Sequence, residues 1–149
     1  MRQLLCDSGP LIASFDRSDR YHASCIRLLA EWPGELLIPE PVLGETCNFL
    51  RNHVRSGPAL ELQFLDAVAE GSGDFTIINP TDEDRRRATG LVRQLVAAPL
   101  GYVDASIVAL AERLKVTEIA TVDFKLLGMA SQVSEIKPLR WVLQEGRAQ

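Results

Sequence analysis

The sequence predicts an α/β fold, a three-layer α/β/α sandwich around a central parallel sheet. Short apolar runs alternate with longer segments whose apolar residues recur at helical spacing. Parallel strands joined by crossover helices are the arrangement that buries both. The 149 residues, 46% apolar and 24% charged, suit one domain with one core. No repeat, low-complexity block or linker divides them. The domain is expected to cover residues 1–145, with a frayed tail at 146–149.

The elements follow in chain order. Residues 2–6 form a first strand that enters the core at once. Asp7-Ser8-Gly9-Pro10 breaks it, and a short apolar helix runs through Phe15. Residues 16–20 are a polar turn. A helix over 21–31 places apolar side chains at 21, 25, 26, 28 and 29, and Trp32-Pro33-Gly34 ends it. Leu36-Leu37-Ile38 is the second strand. Over 39–55, Val42, Leu43, Cys47, Phe49, Leu50 and Val54 make one broad apolar stripe of a helix. Ser56-Gly57-Pro58 stops it and starts another helix over 59–70. Gly71-Ser72-Gly73 turns the chain into a third strand, 75–78. Thr81-Asp82-Glu83-Asp84 has the capping-box pattern of a helix start, reaching about Ala97. Pro99 and Gly101 break the chain before a helix over 103–114. The fourth strand covers 118–122 and the fifth 139–143.

Composition narrows the function classes. No apolar run approaches the ~20 residues needed to span a bilayer, so no membrane association is expected. The N-terminal segment lacks the pattern of a signal peptide, because its apolar run is short and ends in an acid. A cytoplasmic protein is the expectation. Cys6, Cys25 and Cys47 are odd in number, sit in apolar sequence and show no CxxC spacing. They read as buried free thiols and not as zinc ligands or a disulfide framework. Net charge is −4, from 16 basic and 20 acidic residues. That is a mild objection to a nucleic-acid partner. Four acids committed to a metal would leave 16 against 16.

Four acids stand out. Asp7 directly follows the first strand and Asp123 the fourth. Asp suits turns and ends strands well, yet two at equivalent ends of core strands favour a site. Ligands of parallel sheets bind beyond the carboxyl ends of the strands, where strand order reverses. Glu45 has Val42 and Phe49 on one side of its helix and Asn48 and Asn52 on the other, which sets it at the margin of the buried stripe. Asp104 lies on the arc of Val108 and Ala111, within a helix that buries Ile107, Leu110 and Leu114. A charge there needs a partner. An N-cap role is the alternative, and the two can coexist. Converging carboxylates cannot all ionise without compensating charge. A divalent cation supplies it, and oxygen-only ligands suit Mg²⁺ or Mn²⁺. Ser8 and Thr121 lie beside these acids and are candidate hydrogen-bond donors to them.

The ordered set Leu4-Leu5-Cys6-Asp7-Ser8, helical Glu45, Val103-Asp104-Ala105-Ser106-Ile107-Val108-Ala109-Leu110-Ala111 and Thr121-Val122-Asp123-Phe124 resembles the PIN domain. Within that family it looks most like the VapC-type toxins of type II toxin–antitoxin pairs. The polar turn from Asp16 to His22 fits the same likeness, which covers nearly the whole chain. The resemblance implies a parallel sheet in the order 3-2-1-4-5 and Mg²⁺- or Mn²⁺-dependent cleavage of single-stranded or looped RNA. It also implies that Asp7, Glu45, Asp104 and Asp123 serve as catalytic metal ligands, that the chain forms a homodimer, and that an antitoxin protein is encoded beside the gene.

RNA needs cations along its backbone. Arg85-Arg86-Arg87 point three ways from a helix and read as a solvated face. Arg17, Arg20, Arg51 and Arg55 flank predicted helix ends nearer the acids and are the better candidates. His22 and His53 show no nucleophile motif around them. A non-toxic PIN domain that processes or binds RNA is the first alternative. A receiver-like signalling domain is the distant one. It would need an acidic pair after the first strand and an aspartate after the third, where Asn79-Pro80 stands, and it would leave Glu45 and Asp104 without a role.

Overall fold

The computed structural model describes residues 2–69, 73–97 and 100–123, and the backbone of 140–141. Leu4, Leu5 and Cys6 are fully buried, as expected of a strand covered on both faces. They form the end of β1 (Arg2–Cys6). After it come α1 (Ser8–Phe15), α2 (His22–Glu31), β2 (Gly34–Pro39), α3 (Glu40–His53), α4 (Gly57–Val68) and β3 (Thr76–Ile78). Then α5 (Asp82–Gln94), α6 (Tyr102–Leu114), β4 (Glu118–Ala120) and β5 (Arg140–Trp141) complete the fold. The five strands pair in the order β3-β2-β1-β4-β5, and every pairing is parallel. This is the α/β fold expected, with helices flanking a central parallel sheet. The central strand β1 pairs Leu5 with Leu37 on one side and with Ile119 on the other. The order reverses at β1, so the carboxyl ends of β1 and β4 lie side by side.

Local chemistry explains the element ends. Thr81 and Asp84 form the expected capping box at α5, each side chain accepting from the other's backbone N–H. Asp84 also takes two bonds of 2.9 Å from Arg113 Nε on α6. One turn away Arg87 pairs with Glu112 at 2.9 Å, so two ion pairs clamp α5 against α6. Gly57 sits where a Cβ would stand 2.3 Å from the Leu50 carbonyl oxygen. A side chain there would force α3 and α4 apart.

Several expectations needed correction. Of the arginine run at 85–87, Arg85 and Arg86 lie on an exposed face as expected, while Arg87 is half-buried in its pair with Glu112. The α3 stripe includes Thr46, fully buried because its hydroxyl donates to the Val42 carbonyl at 2.8 Å, whereas Phe49 is 41% exposed. Helix α5 ends at Gln94, short of Ala97, and β4 ends at Ala120, short of Val122. Cys6 and Cys25 are buried free thiols, while Cys47 is only half-buried. The expected turn at Gly71-Ser72, the break at Pro99 and the tail 146–149 lie outside the described residues. No described helix is long and apolar enough to cross a membrane.

Candidate active site

The four acids come from four separate elements. Asp7 is the N-cap of α1, with its backbone still extended. Its own N–H donates to the Ala120 carbonyl at 3.0 Å, which carries the β1–β4 ladder one residue beyond the strands. The residue is only 5% exposed. One oxygen accepts from the Ser8 N–H at 2.8 Å and the other from the Thr121 hydroxyl at 2.8 Å. Thr121 is fully buried, and its hydroxyl oxygen accepts from the Asp123 N–H at 3.0 Å. A single threonine thus ties the ends of β1 and β4 together through the two aspartates.

Glu45, in the second turn of α3, is exposed along its stem, but its carboxylate accepts from the Ser8 hydroxyl at 2.5 Å. Asp104 is not the N-cap of α6. Gly101 takes that position, and the helix begins at Tyr102, one residue before the expected start. Asp104 stands in the first turn, where the Gly101 backbone N–H pulls its pKa down against the other causes. The N-cap alternative is thereby corrected: Asp104 occupies the third helical position, where the helix dipole also favours negative charge.

Electrostatics bring the four together. Burial pushes the Asp7 carboxyl up to about 6, against the pull of the Thr121 and Ser8 hydrogen bonds, and the charges of Glu45 and Asp123 push it further. Burial pushes Asp104 up to about 7, with Asp7, Asp123 and Glu45 all adding to the rise. Asp104 is the acid that feels each of the other three. Among the described residues, however, no three Asp, Glu, His or Cys side chains are already gathered closely enough to hold a metal ion.

Gly101 was not readable as the cap, because Tyr102 and Val103 read alike as first helical residues. The flanking arginines divide into two kinds. Arg51 pairs with Glu61 at 2.6 Å and Arg20 lies over the Tyr21 ring, whereas Arg17 and Arg55 line one cavity of about 360 Å³. His22 Nδ1 is bonded to the Ala13 carbonyl at 2.7 Å, a structural tie.

The model of the PIN domain family matches residues 4–131. No curated protein sequence matches the chain. Among solved structures the chain is similar to VapC20 of Mycobacterium tuberculosis, a toxin that cleaves the sarcin–ricin loop (TM-score 0.75, 18% identity, 84% of this chain and 93% of that one). It is similar also to a toxin–antitoxin complex from Klebsiella pneumoniae (TM-score 0.60, 23% identity, 80% and 86% covered). A third is VapBC2 from Rickettsia felis, bound to a DNA fragment from its promoter (TM-score 0.61, 15% identity, 93% and 96% covered). At these identities the likeness speaks for the fold.

Proposed function

Because the chain belongs to the PIN-domain family, we propose that it is a Mg²⁺- or Mn²⁺-dependent endoribonuclease acting on single-stranded or looped RNA. The observation that carries this reading is the convergence of Asp7, Glu45, Asp104 and Asp123 from four elements at one end of the sheet, where they repel one another. Oxygen-only donors of like charge fit a hard divalent cation. As the carboxylates stand apart without one, binding would have to draw them in. Asp7, Glu45, Asp104 and Asp123 are the proposed ligands. When bound, the cation supplies a Lewis acid to the phosphodiester and neutralises the charge of the acids.

The chain's own groups prepare that site. Ser8 N–H and Thr121 fix both oxygens of Asp7, so this acid has little freedom to turn. The Ser8 hydroxyl steadies Glu45, and the Gly101 N–H steadies Asp104. Near neutral pH Asp104 is held close to half protonation, so a cation must displace a proton, and binding should strengthen as pH rises. The test is cleavage of single-stranded RNA in Mn²⁺ and in EDTA, with melting curves in both. Cleavage is expected only with metal. At ~100 times the dissociation constant, the cation should also stabilise the fold by about 2.7 kcal/mol. Unchanged melting, with no binding by calorimetry, would sink the metal site.

We propose further that the nuclease is the toxin of a toxin–antitoxin pair, a cytoplasmic homodimer held inactive by its antitoxin. Two similar structures are toxin–antitoxin assemblies, and an acidic site suits a neutralising arginine. The product of the adjacent gene should co-purify with this protein and relieve growth arrest. If it does neither, the non-toxic RNA-processing reading takes the toxin's place and the nuclease stands. The receiver-like alternative has no support left in the family or in the site.

A further inference from the structure

Helices α1 and α3 share both their beginnings and their ends. Near their starts the Ser8 hydroxyl meets Glu45. Beyond their ends, Arg17 and Arg55 line one cavity with Ser18, Ser56 and Gln63. Eight residues separate Ser8 from Asp16, and eight separate Glu45 from His53. At 1.5 Å per residue both helices travel roughly 12 Å from the acids to the cavity. That is the reach of a few nucleotides of a single strand, at about 3.4 Å each when stacked.

The cavity has the chemistry of an anion site. Its ~360 Å³ falls in the range of small-ligand pockets, roughly 300–1,000 Å³. Neither Arg17 nor Arg55 makes an ion pair among the described residues, whereas Arg51 pairs with Glu61 and Arg20 lies over the Tyr21 ring. Asp16, the acid on the rim, is engaged by its own turn, accepting from the Ser18 N–H at 3.0 Å and hydroxyl at 2.7 Å. Ser56 precedes α4 in the left-handed conformation (φ 60°), and its side chain makes no cap bond. Its hydroxyl and the positive end of α4 are left to face a ligand.

What lies between the acids and the cavity identifies the kind of anion. Glu45, Phe49 and His53 recur every four residues and run as one row along α3. Phe49 is 41% exposed, and its ring lies 5.1 Å from that of His53. An exposed aromatic pair between two charged subsites, spaced at about one turn per residue, suits the stacked bases of a single strand.

We infer that the Arg17–Arg55 cavity is a phosphate subsite for the RNA backbone, a few nucleotides from the carboxylates, with Phe49 and His53 stacking a base between. It rests on the ribonuclease reading and sets where the substrate lies. The subsite positions the strand and takes no part in bond cleavage.

The double variant Arg17→Gln, Arg55→Gln tests it. Both side chains are exposed, so the variant should melt like the wild type. Binding of a fluorescent single-stranded RNA octamer is measured by anisotropy in EDTA across a salt series, and cleavage is measured in Mn²⁺. The expected result is affinity lower by roughly tenfold, a salt slope shallower by about 0.7, and KM raised with kcat unchanged. Binding of a dinucleotide, too short to reach from the acids, should not change. The double variant Arg17→Lys, Arg55→Lys should keep the slope. Unchanged octamer affinity and slope in a wild type that does bind and cleave RNA would overturn the subsite and leave the nuclease intact. A wild type that neither binds nor cleaves RNA would overturn both. Weakened binding of the antitoxin alone would reassign the cavity to a protein carboxylate.

Discussion

Asp104→Asn should abolish metal-dependent RNA cleavage, by roughly a hundredfold or more, while leaving the metal-free protein as stable as before or more so. Asparagine keeps the shape and polarity of the side chain in the first turn of α6, a helix that starts without a side-chain cap bond. What disappears is the one charge that all three other acids oppose. A residue that served only to start the helix would show the reverse pattern, with activity kept and stability little changed. Cleavage of single-stranded RNA in Mn²⁺, paired with a melt in EDTA, separates the two. Near-wild-type cleavage by the variant would remove Asp104 from the site.

The metal-free protein should lose stability as pH rises through the range in which Asp7 ionises. Burial holds its carboxyl at about 6 in the fold, against an ordinary value of 3.8. The folded state therefore keeps this proton where the unfolded chain has released it, and stability falls with pH between those two values. Below about 4 both states are protonated and the penalty is absent. Above about 6 it is complete, on the order of 3 kcal/mol for a shift of this size. Asp104 pushes in the same direction through about 7. Asp7→Asn removes this ionisation, and with it the part of the Asp104 rise that the Asp7 charge causes. Urea unfolding in EDTA at pH 4 and pH 7 should show the variant gaining about 3 kcal/mol on the wild type over that interval. A constant difference would mean that Asp7 carries no burial penalty. Saturating Mn²⁺ should shrink the effect, because the cation takes over the compensation that the proton supplied.

The sequence was most legible where a residue's role is local. The capping box at α5 is written in Thr81 and Asp84, and the α3–α4 break in Ser56-Gly57-Pro58, because turn and cap chemistry acts over a few residues. The buried strands were legible from Leu4-Leu5-Cys6 and Leu36-Leu37-Ile38. Residues that depend on distant partners were not. Arg87 looked solvated because Glu112, its partner, lies 25 positions away. Thr46 was absent from the expected α3 stripe because nothing in the sequence shows its hydroxyl bonding its own helix, and Phe49 looked buried because a broad stripe leaves its margins undetermined. Asp7 and Asp123 were readable at strand ends, yet the threonine that joins them became a link only once β1 and β4 were neighbours. The strand order itself came from resemblance to a family and not from any pattern in this chain.

The pairing of β1 with β4 also has a meaning in time. Thr121 reaches back across 114 residues to Asp7, and Asp123 follows two residues later. A ribosome releases the first candidate ligand almost at once and the last only when most of the chain has emerged. Until then β1 has one neighbour, and the acids have no common end of a sheet to occupy. Contacts so far apart in the chain also close slowly. The four acids can therefore share one end of the sheet only after Asp123 has emerged and β4 has paired with β1.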